Sequence, residues 1–372
     1  VVKSAKSLII ASVEAYTGKS ATILGIAHQL KKKGLRLDYG KPVGNFFHQK
    51  QAETIEDDIQ LIAEALQLSQ EQIKNPLVSL SHAAIEERIK SDHPCNYSQR
   101  LKDYLEDSQG QLLLLEAPPT LTEGSLFNLS TMEMAEVLDA PILLVLRYHS
   151  LSMLDQILGA RKQLGNRLFG VVINDVPPEA TTEMSDQIQP FLERKGLPVF
   201  GVLPQSALLH SVSVRELAKQ LEAKVLCRRD RLDLMVERLT IGAMNVNSAL
   251  RYFRKGRNLA VVTGADRSDL QLAALETSAH CLILTGHVPP QDFVCLILTG
   301  HVPPQDFVLS RAETLEIPIL AVESDTLTTV EIAERTFKQV RIQEPIKVQF
   351  IQELMAQHFD VERLITQLGF VN

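Results

Sequence analysis

Apolar residues along the chain keep two alternating rhythms. Short runs at residues 8–10, 111–116, 141–147, 168–178 and 198–204 are apolar nearly throughout and bounded by turn residues, the pattern of strands buried on both faces. Between them, residues 21–30, 52–66, 81–91, 97–106, 152–164 and 182–195 carry apolar positions at helical spacing. Strands that alternate with helices and are not themselves alternating predict an α/β fold with a doubly wound parallel sheet. A second, smaller α/β region is expected further on, where residues 259–264 run into a Gly-Ala-Asp-Arg turn and a helix over 269–277. An anion could sit at that helix start; equally, Asp266 is a helix-start acid and Arg267 is solvated.

The first strand leads into Ser12-Val13-Glu14-Ala15-Tyr16-Thr17-Gly18-Lys19-Ser20-Ala21 and then a helix. Strand, turn and Gly-Lys-Ser at a helix start are the parts of a phosphate-binding loop. Backbone N–H groups from Thr17 to Ala21 wrap phosphates, Lys19 supplies a cation and Ser20 offers an oxygen to Mg²⁺. The full G-x-x-x-x-G-K-[ST] pattern would place Gly where Val13 stands, and a plain turn before a helix can also read Gly-Lys-Ser. Lys41, in a Lys-Pro-Val-Gly turn, falls at the carboxyl end of a short strand, the edge where open α/β sheets bind ligands. Glu116 ends the leucine-rich strand at 111–116 and is placed to hold Mg²⁺ directly or through water.

Charge and composition narrow the partners. A formal charge of -7 argues against a general nucleic-acid binder, because neutralising phosphates needs a basic face. Lys31 to Lys33 end the first helix before Gly34, where cations complement the helix dipole. The four cysteines show neither C-x-x-C spacing nor a histidine at ligand distance, so no zinc site or disulfide framework is expected, and a reducing, cytoplasmic setting is. Neither a signal-peptide pattern nor an apolar span near 20 residues is present. Residues 281–294 recur identically at 295–308. A strand-turn unit fits a sheet once, so one copy is expected outside the core, or the recorded sequence carries an error, which is the simpler reading.

Gly18-Lys19-Ser20, Lys41-Pro42-Val43, Asp58 at a helix start, Glu116, Asn174-Asp175-Val176 and Gly201-Val202-Leu203-Pro204 follow the order and approximate spacing of dethiobiotin synthetase. The chain resembles that P-loop group, which includes the amidotransferases of cobyrinic acid, over residues 5–222. The resemblance implies ATP and Mg²⁺ as ligands. Lys19 and Lys41 would stabilise the phosphates, with Lys41 facing the transferred phosphate or an acid substrate. Ser20, Asp58 and Glu116 would surround Mg²⁺, and Asn174 with the backbone near Pro204 would hold adenine. In place of the synthetase's glycine-rich turn after the strand acid stands Glu116-Ala117-Pro118-Pro119, whose two prolines remove N–H donors and stiffen the turn, so it does not share that turn's geometry.

Residues 223–343 resemble a DRTGG domain, with Glu237 to Met244 at a degenerate name motif. The tandem is similar to the amino-terminal half of long phosphotransacetylases. It implies an ATP/Mg-binding regulatory protein without acyltransferase activity, a second small ligand or a protein partner at the DRTGG domain, and a homo-oligomer. The alternative is an ATP-dependent enzyme that activates a carboxylate. Residues 344–372 suffice for a helical tail and not for a catalytic domain.

Overall fold

The computed structural model describes residues 7–44, 55–90, 95–277, 279–285, 304–338 and 344–370. The chain divides into two compact units, 1–205 with 345–372, and 206–344.

Unit 1 is built on β1 (Ser7–Ala11), β2 (Leu37–Gly40), β3 (Val43–Gly44), β4 (Ile73–Lys74), β5 (Val78–Ser79), β6 (Leu112–Glu116), β7 (Ile142–Arg147), β8 (Leu168–Val176) and β9 (Val199–Pro204). Seven of these strands form one sheet in the order β4-β2-β6-β1-β7-β8-β9, parallel throughout. The strands β3, β4 and β5 are not expected from the sequence: β3 falls in the Lys-Pro-Val-Gly turn, β4 just beyond the helix expected at 52–66 and β5 shortly after it, and two-residue strands are too short to leave a periodic signal. The helices are α1 (Lys19–Lys32), α2 (Ile55–Leu66), α3 (His82–Lys90), α4 (Tyr97–Glu106), α5 (Thr131–Leu138) and α6 (Met153–Leu164). The helix expected at 182–195 is composite: α7 (Thr181–Glu183) and α8 (Gln189–Arg194) are joined by a π-helical stretch, Met184–Ile188, just before Pro190, which lacks the N–H an α-helix needs.

Alternation along the central strands sorts the two faces. Ile9, Ala11, Leu113 and Leu115 join a cluster with Met134 and Ala135 of α5 and Ile157 of α6. Leu8, Ile10, Leu112 and Leu114 point to the opposite face, on which α1 packs against β1, β2 and β6. Glu116 shares that parity with Leu112 and Leu114, so its carboxylate is delivered to the α1 side. On β2, buried Asp38 accepts hydrogen bonds from Ser108 Oγ (2.5 Å) and the backbone N–H groups of Gln109 (2.8 Å) and Gly110 (3.1 Å), which fixes the turn that feeds β6.

Unit 2 comprises α9 (Ala207–His210), α10 (Val214–Gln220), α11 (Val246–Phe253), α12 (Ser268–Leu275), α13 (Asp306–Leu315) and α14 (Thr326–Lys338) with seven strands. Strands β10 (Val212–Ser213) and β12 (Met235–Val236) form a ribbon. The five-stranded sheet runs β11-β16-β15-β14-β13, from β11 (Lys224–Cys227), β13 (Arg238–Ile241), β14 (Leu259–Gly264), β15 (Ala279–Thr285) and β16 (Ile319–Ala321). It is parallel except for β11. Residues of α11, α12 and α13 cover one face and residues of α10 and α14 the other. The first of the two identical segments supplies the end of β15, and the second supplies the start of α13. The rest of both copies, with His287 and His301, lies outside the described residues.

Two boundaries differ from the sequence reading. Residues 206–222 belong to unit 2, because Val212, Val214, Leu217 and Leu221 are buried with Ala260, Val262 and Ile283 of its sheet. The segment expected as a tail is two helices, α15 (Pro345–His358) and α16 (Val361–Gln367), packed into unit 1. Helix α15 lies on α1 where Gly25 leaves room: a Cβ there would stand 2.1 Å from Met355 Cγ. Among the described residues no helix is long and apolar enough to cross a membrane.

Candidate functional site

The sheet order reverses beside β1, with β6 on one side and β7 on the other, and the loop leaving β1 sits at that crevice. Helix α1 begins there with Gly18 as its cap, at φ 95°, a left-handed conformation open chiefly to glycine. Among the described residues no side chain caps this terminus, and its first turn holds no acid, so the helix start offers N–H groups to an anion. The amide Nδ2 of Asn174, at the end of β8, donates to the Thr17 carbonyl at 2.9 Å and would stand 2.3 Å from a Cβ on Gly18. The Thr17 hydroxyl next to it is buried and has no hydrogen-bond partner among the described residues. Val13, standing where the full motif has Gly, packs against the hydrophobic cluster instead.

Lys19 is buried and donates to Ser12 Oγ at 2.7 Å. Ser12 Oγ in turn lies 2.8 Å from the carbonyls of both Glu14 and Pro119, so the proline-rich turn after Glu116 braces the loop. Burial pushes the Lys19 ammonium below the usual lysine value; Glu116 opposes this and Lys41 adds to it.

Glu116 is the meeting point. Ser20 Oγ donates to its Oε1 at 3.1 Å, Lys41 Nζ lies 3.9 Å from the same oxygen, and the Tyr39 hydroxyl donates to Oε2 at 3.0 Å. All but Ser20 are buried. Glu123, on the loop beyond the prolines, is raised above the usual glutamate range by burial, with Lys19 and Lys41 acting in the opposite direction. At the rim, His149 Nε2 lies 2.7 Å from Glu14 Oε1, and Arg147 meets Asp175 Oδ2 at 2.7 Å.

The structure therefore gathers Thr17, Gly18, Lys19, Ser20, Ala21, Lys41, Glu116 and Asn174 at one sheet edge. Pro204 ends β9 opposite Val176, three strands from β1, or roughly 14 Å at ordinary strand spacing. Asp58 falls in the first turn of α2, and its side chain lies outside the described residues. Ser12, Tyr39 and Glu123 are site residues that the motif spacing does not reveal. A separate cavity of about 390 Å³ lies between β9 and the C-terminal helices, where Asp360 caps α16 and Arg363 is paired with Glu193.

Hard oxygen donors, Ser20 and Glu116, beside a lysine and an open helix start suit Mg²⁺ bound to phosphates, since that ion takes one or two carboxylates and completes its shell with water and phosphate. Among the described residues no three His, Cys, Asp or Glu side chains form a metal cluster.

A phosphate loop at the switch of a parallel sheet defines the P-loop class of nucleotide-binding domains. A family model described as an AAA domain matches residues 6–213, more than half the chain, and the chain belongs to that family, the dethiobiotin-synthetase-like P-loop proteins. A DRTGG domain model matches residues 216–295 and again 291–336, two pieces that meet within the duplicated segment. The phosphate acetyltransferase of Synechocystis is 29 % identical over 288 residues, 73 % of this chain and 39 % of that protein. That of Nitratidesulfovibrio vulgaris is 26 % identical over 382 residues, 97 % of this chain and 51 % of that protein. The chain thus spans about half or less of the length of these relatives. Among solved structures, the CBS and DRTGG domains of a Clostridium perfringens pyrophosphatase, complexed with diadenosine tetraphosphate, match at 15 % identity and a TM-score of 0.28, covering 49 % of this chain and 85 % of that one.

Proposed function

We propose that this chain binds ATP with Mg²⁺ at the loop following β1 and serves as a nucleotide-responsive regulatory region of the phosphotransacetylase amino-terminal type. The observation that carries it is the convergence of Ser20, Tyr39 and Lys41 on the Glu116 carboxylate, directly beside buried Lys19. Lys19 would exchange its bond to Ser12 for phosphate oxygens, and the N–H groups at the start of α1 would hold the same phosphates. Ser20 and Glu116 would hold the ion, which when bound neutralises phosphate charge. Asp58 belongs to the same proposed set, and Asn174 with the backbone near Pro204 to the adenine side.

Support for a regulatory role comes from the likeness to half of longer proteins and from α15, a late segment of the chain that rests on the very helix carrying the phosphate loop. Unit 2 would receive a second small ligand, a protein partner or another copy of the chain. The placement of Lys41 within 3.9 Å of Glu116 favours a second reading, an ATP-dependent enzyme that activates a carboxylate, because a second cation there could stabilise a transferring phosphoryl group.

Calorimetry with ATP and Mg²⁺ tests the site: saturable heat is expected, and it should vanish in Lys19→Ala. ADP release with and without a panel of dicarboxylates and amino acids separates the two readings. Weak, substrate-independent release is expected; substrate-dependent release that disappears in Glu116→Gln would make the enzyme reading the correct one.

A further inference from the structure

The Glu116 carboxylate is held from two sides, and the sides are not equivalent. Oε1 faces the proposed metal position, where Ser20 Oγ lies at 3.1 Å and Lys41 Nζ at 3.9 Å. Oε2 faces back into the sheet and accepts the Tyr39 hydroxyl at 3.0 Å. Tyr39 is 1 % exposed and sits on β2 with its Cα opposite Leu114 of β6, two residues before Glu116 and on the same face. The register between two strands thus places a phenol behind the carboxylate. A buried phenol needs a partner, and a backbone carbonyl would serve as well. Here the partner is the one strand-end carboxylate that also meets Ser20 of the phosphate loop.

We infer that Tyr39 is a positioning residue that fixes the rotation of the Glu116 carboxylate, so that one oxygen, Oε1, is presented to a divalent cation. The inference rests on the proposed Mg²⁺–ATP site. The terminal torsion of a glutamate is broad and roughly two-fold, so without an anchor the carboxylate can turn. A turned carboxylate could then bring both oxygens toward the Lys41 ammonium, and the ion would have to displace that pair. Holding Oε2 on a neutral donor keeps the second oxygen out of the competition. It also suits Mg²⁺, whose small octahedral shell favours single-oxygen carboxylate contacts with water in the remaining positions.

The test is Tyr39→Phe, which keeps the ring and removes only the hydroxyl. ATP binding to the full chain is followed by calorimetry, first in EDTA and then with free Mg²⁺ raised stepwise. The variant should need about 10- to 100-fold more Mg²⁺ for half of the metal-dependent gain, the range for loss of a group that orients a ligand, with ATP affinity in EDTA unchanged. A tyrosine that merely fills space would shift both affinities together, or neither. An unchanged Mg²⁺ requirement in the variant, against a wild type that does respond to Mg²⁺, overturns the role of Tyr39 alone. A wild type that binds ATP equally well with and without Mg²⁺ overturns the metal site and Tyr39 with it. If the phenylalanine chain is less stable than wild type, the same titration is run below the onset of its melting, where the ring-for-ring comparison is kept.

Discussion

Gly18 shows how tightly the phosphate loop is specified at the level of single residues. Its φ of 95° and the Asn174 amide, 2.3 Å from where a Cβ would stand, exclude a side chain twice over. Gly18→Ala should lose about 1–2 kcal/mol to the left-handed backbone alone, and more to the clash, with ATP heat abolished in calorimetry. Adding Asn174→Ala should recover part of the lost melting temperature by removing the clash, while the backbone cost stays. Lys19, Ser20 and Glu116 were legible in the sequence because their chemistry is written in local spacing: Gly-Lys-Ser before a helical pattern, and an acid closing a run of leucines. Ser12, Tyr39 and Glu123 were not. Their roles come from contacts such as Ser12 with Pro119 and Tyr39 with Glu116, which depend on strand order and register that no local pattern records.

Among the elements, the C-terminal pair α15 and α16 departs furthest from what the sequence suggests. Its hold on unit 1 combines packing and polar contacts of different weight. The exposed Lys33–Glu362 pair contributes ~0–1 kcal/mol at most, as surface ion pairs do. Overpacking at Gly25 weighs more: Gly25→Ala should cost about 1–3 kcal/mol as α15 is pushed off α1. Met355→Ala should relieve that strain, so thermal melts of the double variant should show less destabilisation than the two single losses added. Arg363 grips Glu193 with two hydrogen bonds, at 2.7 and 2.9 Å, and these bonds, more than the Val199 N–H, hold the Glu193 carboxyl below the usual range. A lowered carboxyl stabilises the fold above its unfolded value of about 4.3, and that stabilisation is lost as pH falls through the lower folded value. Arg363→Met should therefore melt lower than wild type at neutral pH, by about 1 kcal/mol, with the gap closing below about pH 4. Strands β1, β6, β7, β8 and β9 were legible because burial on both faces leaves nearly unbroken apolar runs; β3, β4 and β5 were too short to do so.

At the scale of the molecule, the nucleotide-binding unit is discontinuous in sequence, interrupted by residues 206–344. Its α/β class and the smaller second sheet could be read from alternating strands and helices. The return of α15 to α1 could not, since a helical pattern does not state which surface the helix covers. Deleting residues 345–372 should lower the melting temperature of unit 1 and weaken ATP binding, because the outer face of α1 would be stripped; differential scanning calorimetry with and without ATP checks both. The same discontinuity orders events during synthesis. A ribosome working at ~5–20 residues per second needs on the order of ten seconds to pass through the intervening 206–344 stretch. During that interval the sheet around β1 can form, but the groove that α15 will fill stays open. The newborn chain is thus left with a temporarily bare apolar flank, which a chaperone or a neighbouring nascent chain could seize before α15 and α16 arrive.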